Sequence, residues 1–277
     1  MAMPKRVLDR FQSRLKHFQG VLAAQRARDV SEADTVTVIK DVLSDLFGYD
    51  KYAELTSEHS IRGTYCDLAI QFDGKVQFLI EVKAIGLGLK DNHVKQTIDY
   101  AANQGVEWVA LTNGVEWVLY HVLFKKPIDK EEVARINLLD VNLKSDADQD
   151  CLLLLTKEGL ARNALAEYRD RKDATSRFML AAIILNSEAV KTALRREVRR
   201  VSEIMVDEDT IDKVLREQVL KREAIEGEQA ESATRRFCRS VDKATKARKD
   251  ASVECGPPSG VPAQVAGESS ERSGHPD

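Results

Sequence analysis

Two carboxylates and an amine stand in a spacing that can do chemistry. Asp67 is followed, after thirteen residues, by Glu81-Val82-Lys83. Both segments alternate: the large apolar residues are Leu68, Ile70 and Phe72 in the first run and Val76, Phe78, Ile80 and Val82 in the second, all even-numbered. In a hairpin, cross-strand partners share a face, so their numbers must sum to an even value, which a plain two-residue turn does not provide. A three-residue loop, Phe72-Asp73-Gly74, with Gly74 left-handed and a bulge, does. The odd residues Asp67, Gln71, Gln77, Glu81 and Lys83 then share the other face, with Asp67 opposite Leu79 and diagonal to Glu81. Carboxylate oxygens gathered this way suit Mg²⁺, with Mn²⁺ as an alternative. Such an ion polarises a phosphoryl oxygen and lowers the pKa of a water, and a neighbouring lysine orients that water or steadies developing negative charge. That is the chemistry of phosphodiester hydrolysis. By spacing alone, the pattern fits an ordinary edge strand with one solvated face equally well.

The surrounding elements must hold these groups in place. Leu8, Phe11, Leu15, Phe18 and Leu22 form one apolar stripe on a helix over 4–28. Ser31-Glu32-Ala33-Asp34 reads as a capped helix start, with Val36, Ile39, Leu43 and Leu46 as the inner face and Gly48 as the stop. An extended segment over 52–61 leads to the hairpin of 65–72 and 75–83. A helix over 91–103 buries Val94, Ile98 and Ala101. Strands over 107–112 and 115–122 follow, joined at Asn113-Gly114. A helical crossover between 75–83 and 107–112 requires those strands to be parallel within a mixed sheet. Beyond 142 helical patterns dominate, over 165–185, 187–205 and 211–224.

Composition narrows the class. The 277 residues carry a formal net charge of −3, which argues against nonspecific coating of nucleic acid while permitting a local basic surface. Cys66, Cys151, Cys238 and Cys255 form no C-x-x-C pair, against both a zinc site and a disulfide scaffold. No apolar run is long enough to span a bilayer, and the first residues carry no signal-peptide apolar region. A soluble cytoplasmic protein is expected. His59, His93 and His121 are scattered, with His93 best placed to approach the cleft. Trp108 and Trp117 read as core. Arg62 reads as a phosphate contact or a structural ion-pair partner. The basic run Arg235, Arg236, Arg239, Lys243, Lys246, Arg248 and Lys249 reads as a solvated helix end or a DNA tether.

Asp67 with Glu81-Val82-Lys83 resembles the PD-(D/E)xK nuclease motif, with Cys66 where the motif name has Pro. Gln96-Thr97-Ile98-Asp99-Tyr100 is similar to the Q-x-x-x-Y helix of some branches of that superfamily. More narrowly, 31–122 resembles the N-terminal nuclease domain of type I restriction enzyme R subunits. The pieces that carry this are Ser31-Glu32-Ala33-Asp34-Thr35 ahead of Phe47-Gly48-Tyr49-Asp50, the acid–lysine motif, and Leu111-Thr112-Asn113-Gly114 followed by Trp117 and Tyr120. The resemblance implies a restriction-endonuclease-like α/β core, a mixed sheet flanked by helices. It implies Asp67, Glu81 and Lys83 as catalytic residues and Asp67, Glu81, the Val82 carbonyl and Glu32 as metal ligands. Gln96 and Tyr100 would position substrate. As an acid in a first helical turn, Glu32 is also favoured by the helix dipole alone. No G-x-x-x-x-G-K-[ST] phosphate loop occurs, so this chain should hold no ATP site and lacks the translocase motor of full R subunits.

The expected organisation is a packing helix over 1–30, a nuclease-like domain over 31–141, a helical region over 142–226, and a basic then Gly/Pro/Ser-rich disordered tail over 227–277. The expected function is metal-dependent DNA cleavage in restriction or defence against foreign DNA, with DNA and restriction-system subunits as partners and no membrane. Two readings stay open beside it. One is a non-catalytic DNA-binding or partner-docking module that keeps the nuclease fold. The other is a helical interaction protein that forms homo-oligomers through its terminal helices.

Overall fold

The computed structural model describes residues 2–61, 64–72 and 74–253. Arg62, Asp73, Cys255 and the Gly/Pro/Ser-rich tail lie outside the described residues, as do the side chains of His59, Lys246, Arg248 and Lys249. The chain divides into two compact units, 1–173 and 174–277.

The first unit is α/β. Helix α1 (Lys5–Ala27) buries Val7, Phe11, Leu15, Phe18 and Leu22. Val7 takes the place expected for Leu8, because steps of four and three from Phe11 keep the stripe on one side of the helix. Ser31 caps α2 (Glu32–Asp41), its hydroxyl accepting from the Asp34 N–H at 3.2 Å. A π turn (Val42–Leu46) continues α2 to Gly48, whose φ of +88° ends the helix as glycine can. Strands β1 (Leu55–Ile61), β2 (Thr64–Phe72) and β3 (Lys75–Val82) follow. A short 3₁₀ turn (Asp91–Val94) and α3 (Lys95–Gln104) then cross over to β4 (Trp108–Thr112), β5 (Glu116–Leu123) and β6 (Asp129–Asn137). The six strands lie in chain order, with β3 and β4 parallel and the other neighbours antiparallel.

The sheet is buried on both faces. Leu68, Ile70, Phe78, Ile80 and Val82 join α1, α2 and the Phe47–Trp117 edge-on pair (5.5 Å between ring centres) in the larger core. Such a pair contributes about 0.5–1.5 kcal/mol beyond its buried area. Ala69, Leu79, Val109, Leu111 and Tyr120 meet Val94, Ile98 and Ala101 on the opposite face. The face shared by Glu81 is therefore covered by α3 over much of its length.

Three local expectations are corrected. The β2–β3 pairing runs out to Phe72 opposite Lys75, with Asp73 outside the described residues, and the register shift at Ile70/Gln71 leaves Gln77 of β3 as the extra residue. Even parity is restored on β3 at Gln77 rather than at the hairpin tip, and Leu79 pairs with Ala69, not Asp67. In the β4–β5 hairpin the central residues are Gly114-Val115, one position later than expected. The Asn113 side chain accepts from the Val115 and Glu116 N–H groups at 3.1 and 2.8 Å, which sets the turn. Strand β6 was not expected at all. It pairs on one side only, and its sequence, Asp129-Lys130-Glu131-Glu132-Val133-Ala134-Arg135-Ile136-Asn137, is charged as edge strands commonly are.

Helices α4 (Asp146–Leu155), α5 (Lys157–Ala161) and α6 (Ala164–Ala174) complete this unit, with Leu152, Leu154, Leu155 and Leu165 in the larger core. The Arg10 guanidinium ties them to α1. It donates to both carboxylate oxygens of Glu158 (2.9 and 2.8 Å) and to the carbonyls of Leu46 and Phe47 at the end of the π turn.

The second unit is helical: α7 (Arg177–Asn186), α8 (Glu188–Ser202), α9 (Glu208–Val214), a π turn (Leu215–Val219), α10 (Arg222–Ile225) and α11 (Glu228–Val253). Ser176, Ser187 and Asp207 cap α7, α8 and α9. The basic run, read from sequence as a solvated helix end or a tether, lies on α11. Met179 and Ala182 of α7 pack with Ala233 of α11, with Phe178, Ile183 and Phe237 alongside.

Candidate active site

Where the β2–β3 ladder ends, Asp67 continues it with a side chain. Its Oδ2 accepts the Val82 N–H at 2.7 Å, one step past the Leu68–Ile80 pair. Strict alternation also ends here: Cys66 lies in the second core, on the side of Ala69 and Leu79, while Leu68 faces the first. Lys83 stays attached to the sheet on the other side, its N–H donating to the Thr112 carbonyl of β4 at 2.8 Å. Parallel strands β3 and β4 thus fix the backbone of Glu81-Val82-Lys83 while β2 turns away and leaves the Asp67 carboxylate beside it.

The Lys83 ammonium gathers the oxygens around it. Nζ lies 2.7 Å from Glu81 Oε1, 2.9 Å from the Val82 carbonyl and 3.5 Å from Glu32 Oε2. The Lys83 and Glu81 side chains are only 18% and 16% exposed, whereas Glu32 is 48% exposed at the first turn of α2. Burial by itself would pull the Lys83 pKa down. The Glu81 hydrogen bond and the charges of Glu81, Glu32 and Asp67 outweigh it, and the net shift is upward. Asp67, Glu81, Lys83 and Glu32 therefore form one electrostatic cluster.

Two buried threonines brace it, and neither was singled out from sequence. Thr97 on α3, 1% exposed, donates its hydroxyl to Glu81 Oε2 at 2.6 Å. Thr35 on α2 donates to the Ser31 carbonyl (2.8 Å) and accepts the Ile85 N–H (3.1 Å), stitching the start of α2 to the chain just beyond Lys83. A polar residue within the otherwise apolar inner face of each helix was the available signal. Asn113 donates to the Leu87 carbonyl at 3.0 Å, and a Cβ on Gly86 would collide with the Asp29 carboxylate, so the loop after Lys83 is closely packed.

The remaining expected site residues fall as follows. Gln96 is exposed at the start of α3, next to Thr97. Tyr100 is 4% exposed within the second core, and its hydroxyl has no hydrogen-bond partner among the described residues. Burial, reinforced by Glu81 and Asp67, pushes the Cys66 thiol up to about 12, so it remains protonated. His93 accepts the Lys90 N–H at 3.3 Å, and His121 contacts Trp108 and Arg169. Trp108 and Trp117 are both buried. On α11, Arg235 pairs with Glu231, while Arg239 and Lys243 are exposed. A cavity of about 480 Å³ lies beside the loop after Lys83, lined by Arg26, Gly86, Asn113 and Arg135, but Asp67, Glu81 and Lys83 do not line it.

As the side chains stand, no three His, Cys, Asp or Glu groups among the described residues are spaced to hold a metal together. Both Glu81 oxygens are engaged, by Lys83 and Thr97, and Asp67 Oδ2 is engaged by a backbone N–H. The donor chemistry still fits a hard cation. Glu81, the Val82 carbonyl and Glu32 are all oxygen donors, and they already converge on one positive charge.

By fold the chain is an α/β protein with a mixed sheet and an acid–lysine cluster where β2 parts from β3. Residues 39–136, about a third of the chain, match the family model of the type I restriction enzyme R protein N terminus. That segment resembles the N-terminal domain of R subunits and supports a nuclease- or restriction-related role, and it contains Asp67, Glu81, Lys83, Gln96 and Tyr100 but not Glu32. No curated protein and no solved structure matches the chain. Among the described residues no helix is long and apolar enough to cross a membrane.

Proposed function

We propose that the chain is a nuclease of the PD-(D/E)xK kind, hydrolysing phosphodiester bonds of DNA with Mg²⁺ or Mn²⁺, in restriction or defence. The observation that carries this is the convergence of Glu81 Oε1, the Val82 carbonyl and Glu32 Oε2 on one ammonium, with Asp67 one peptide away. Asp67, Glu81, the Val82 carbonyl and Glu32 would hold the ion. Once bound, it would supply charge to the scissile phosphate and lower the pKa of a water.

The chain's own residues do the rest. Thr97 holds one Glu81 oxygen in place, so the other is presented to the cluster without a rotamer search. Lys83 is charged at neutral pH and offers a donor to an attacking water or to the developing negative charge. Gln96, exposed on the helix that carries Thr97, is available to a substrate strand; Tyr100 from its buried position supports the helix rather than reaching outward.

A second reading has its own support. Both Glu81 oxygens are satisfied within the protein, as in a fold kept to bind DNA or dock a restriction-system subunit without cutting. Incubating the full chain with plasmid and Mg²⁺ or Mn²⁺, against a chelator control, separates the two. Cleavage is expected, reduced at least about a hundredfold by Asp67→Ala or Lys83→Ala. Full activity in either folded variant overturns the mechanism, and metal-independent binding without cleavage selects the second reading.

A further inference from the structure

The second unit carries a charged surface that this chemistry does not use. Helix α8 has no fully buried residue, yet its two sides differ sharply. Val190, Lys191, Ala193 and Leu194 are half-buried on the side facing its neighbours, and Lys191 is tied to Glu208 (3.2 Å) and Asp212 (3.8 Å) of α9. Arg195, Arg196, Arg199 and Arg200 are exposed, and spacings of three and four place them on adjoining rows of the opposite side. Arg195 reaches Glu208 only at 4.0 Å and Arg200 pairs with Glu197 at 2.7 Å. Arg196 and Arg199 form no ion pair or hydrogen bond among the described residues.

Several solvated pairs elsewhere in this unit differ from this. Asp212–Arg216, Arg222–Glu226 and Glu231–Arg235 each alternate sign at i,i+4. On α8 the same spacing sets Arg195 against Arg199 and Arg196 against Arg200, which is repulsive. The helix dipole favours cations in the last turn and accounts for Arg199 and Arg200, but not for the pair a turn earlier. A row of guanidiniums spanning about 7.5 Å along a helix held from its other side matches the repeating charge of a nucleic-acid strand, which rises about 3.4 Å per phosphate.

We propose that the arginine side of α8 docks the phosphate backbone of duplex DNA, independently of base sequence, and so gives the helical unit a binding role of its own. The charge surface uses none of the residues of the acid–lysine cluster; only the identity of the duplex as substrate rests on the nuclease reading. The test is the affinity of the full chain for a labelled duplex in chelator, measured from 50 to 200 mM salt, for wild type, Arg196→Gln/Arg199→Gln, and a control, Arg216→Gln/Arg222→Gln, with helicity checked by circular dichroism. Loss of two phosphate contacts should flatten the slope of log K against log salt by about 2 and weaken binding roughly 10–100-fold at 100 mM, with the control little changed. Unchanged affinity and slope, an equal effect in the control, or no binding by wild type at 50 mM salt overturns the proposal. A chain that binds in this manner but never cuts plasmid sinks the nuclease reading and leaves this one standing; a chain that cuts with no effect of Arg196→Gln/Arg199→Gln does the reverse.

Discussion

Replacing Lys83 by Met should abolish cleavage and yet tighten divalent-metal binding. The ammonium lies 2.7 Å from Glu81 Oε1, 2.9 Å from the Val82 carbonyl and 3.5 Å from Glu32 Oε2, so any ion that uses those oxygens becomes its close neighbour. Two unit charges at 4 Å repel by about 1 kcal/mol in water and about 4 kcal/mol at an effective dielectric of 20. For a divalent ion the lower figure doubles to about 2 kcal/mol, or roughly thirtyfold in dissociation constant. The lower figure is a floor, because the long Lys83 stem can swing aside from an incoming ion. Met keeps the length of the stem and removes only the charge. The assay is calorimetric titration of wild type and Lys83→Met with Mn²⁺, paired with plasmid cleavage. Unchanged or weaker Mn²⁺ binding by a folded Lys83→Met protein would refute the idea that lysine and metal share ligands. The sign of the Lys83 shift agrees: its folded pKa is raised, so its contribution to stability is complete below the ordinary lysine range and is lost as pH rises through the folded value.

Thr97→Val removes the donor to Glu81 Oε2 without changing side-chain shape, and hydrogen bonds to charged groups contribute about 1.5–3 kcal/mol. Mn²⁺ affinity should fall roughly 10–100-fold and recover in Thr97→Ser; equal affinity in all three proteins would show that Thr97 only fills space. His121 carries a pKa lowered by burial and then by Arg169. Its unfolded form therefore binds the proton more readily, and stability should hold above the ordinary histidine range and decline as pH falls through the lowered folded value. Denaturation midpoints followed from neutral to acid pH should show this loss in wild type and a smaller one in His121→Phe; parallel profiles would contradict it.

The hairpin shows how far a linear pattern reaches. Alternation of Leu68, Ile70, Phe78, Ile80 and Val82 demanded even parity, and the folded register has it for every pair from Leu68–Ile80 to Ile70–Phe78. Where the extra residue went was not legible, because a bulge at Gln77 and a longer turn satisfy the same parity. Asn113-Gly114 marked a turn correctly but not its centre, which the Asn113 side chain set by accepting two N–H groups. Strand β6 escaped notice because an edge strand buries little: only Val133, Ala134 and Ile136 of its nine residues are buried. Tyr100 lies only about 40° around the helix from Gln96, as four steps of a helix require, yet it is buried in the second core while Gln96 is exposed, a difference that spacing does not record.

Local periodicity alone determined the capped helix after Ser31, the hairpin, the crossover helix and hence the parallel β3–β4 pair, because each follows from contacts a few residues apart. The acid–lysine spacing likewise named Asp67, Glu81 and Lys83. Only the tertiary structure decided what those groups touch: that Thr97 from α3 holds one Glu81 oxygen, that Thr35 brings Glu32 up to Lys83, and that the lysine closes on the acids. The two threonine contacts join segments 16 and 50 residues apart. Their geometry depends on how two helices seat on opposite faces of one sheet, and spacing along the chain carries no record of that.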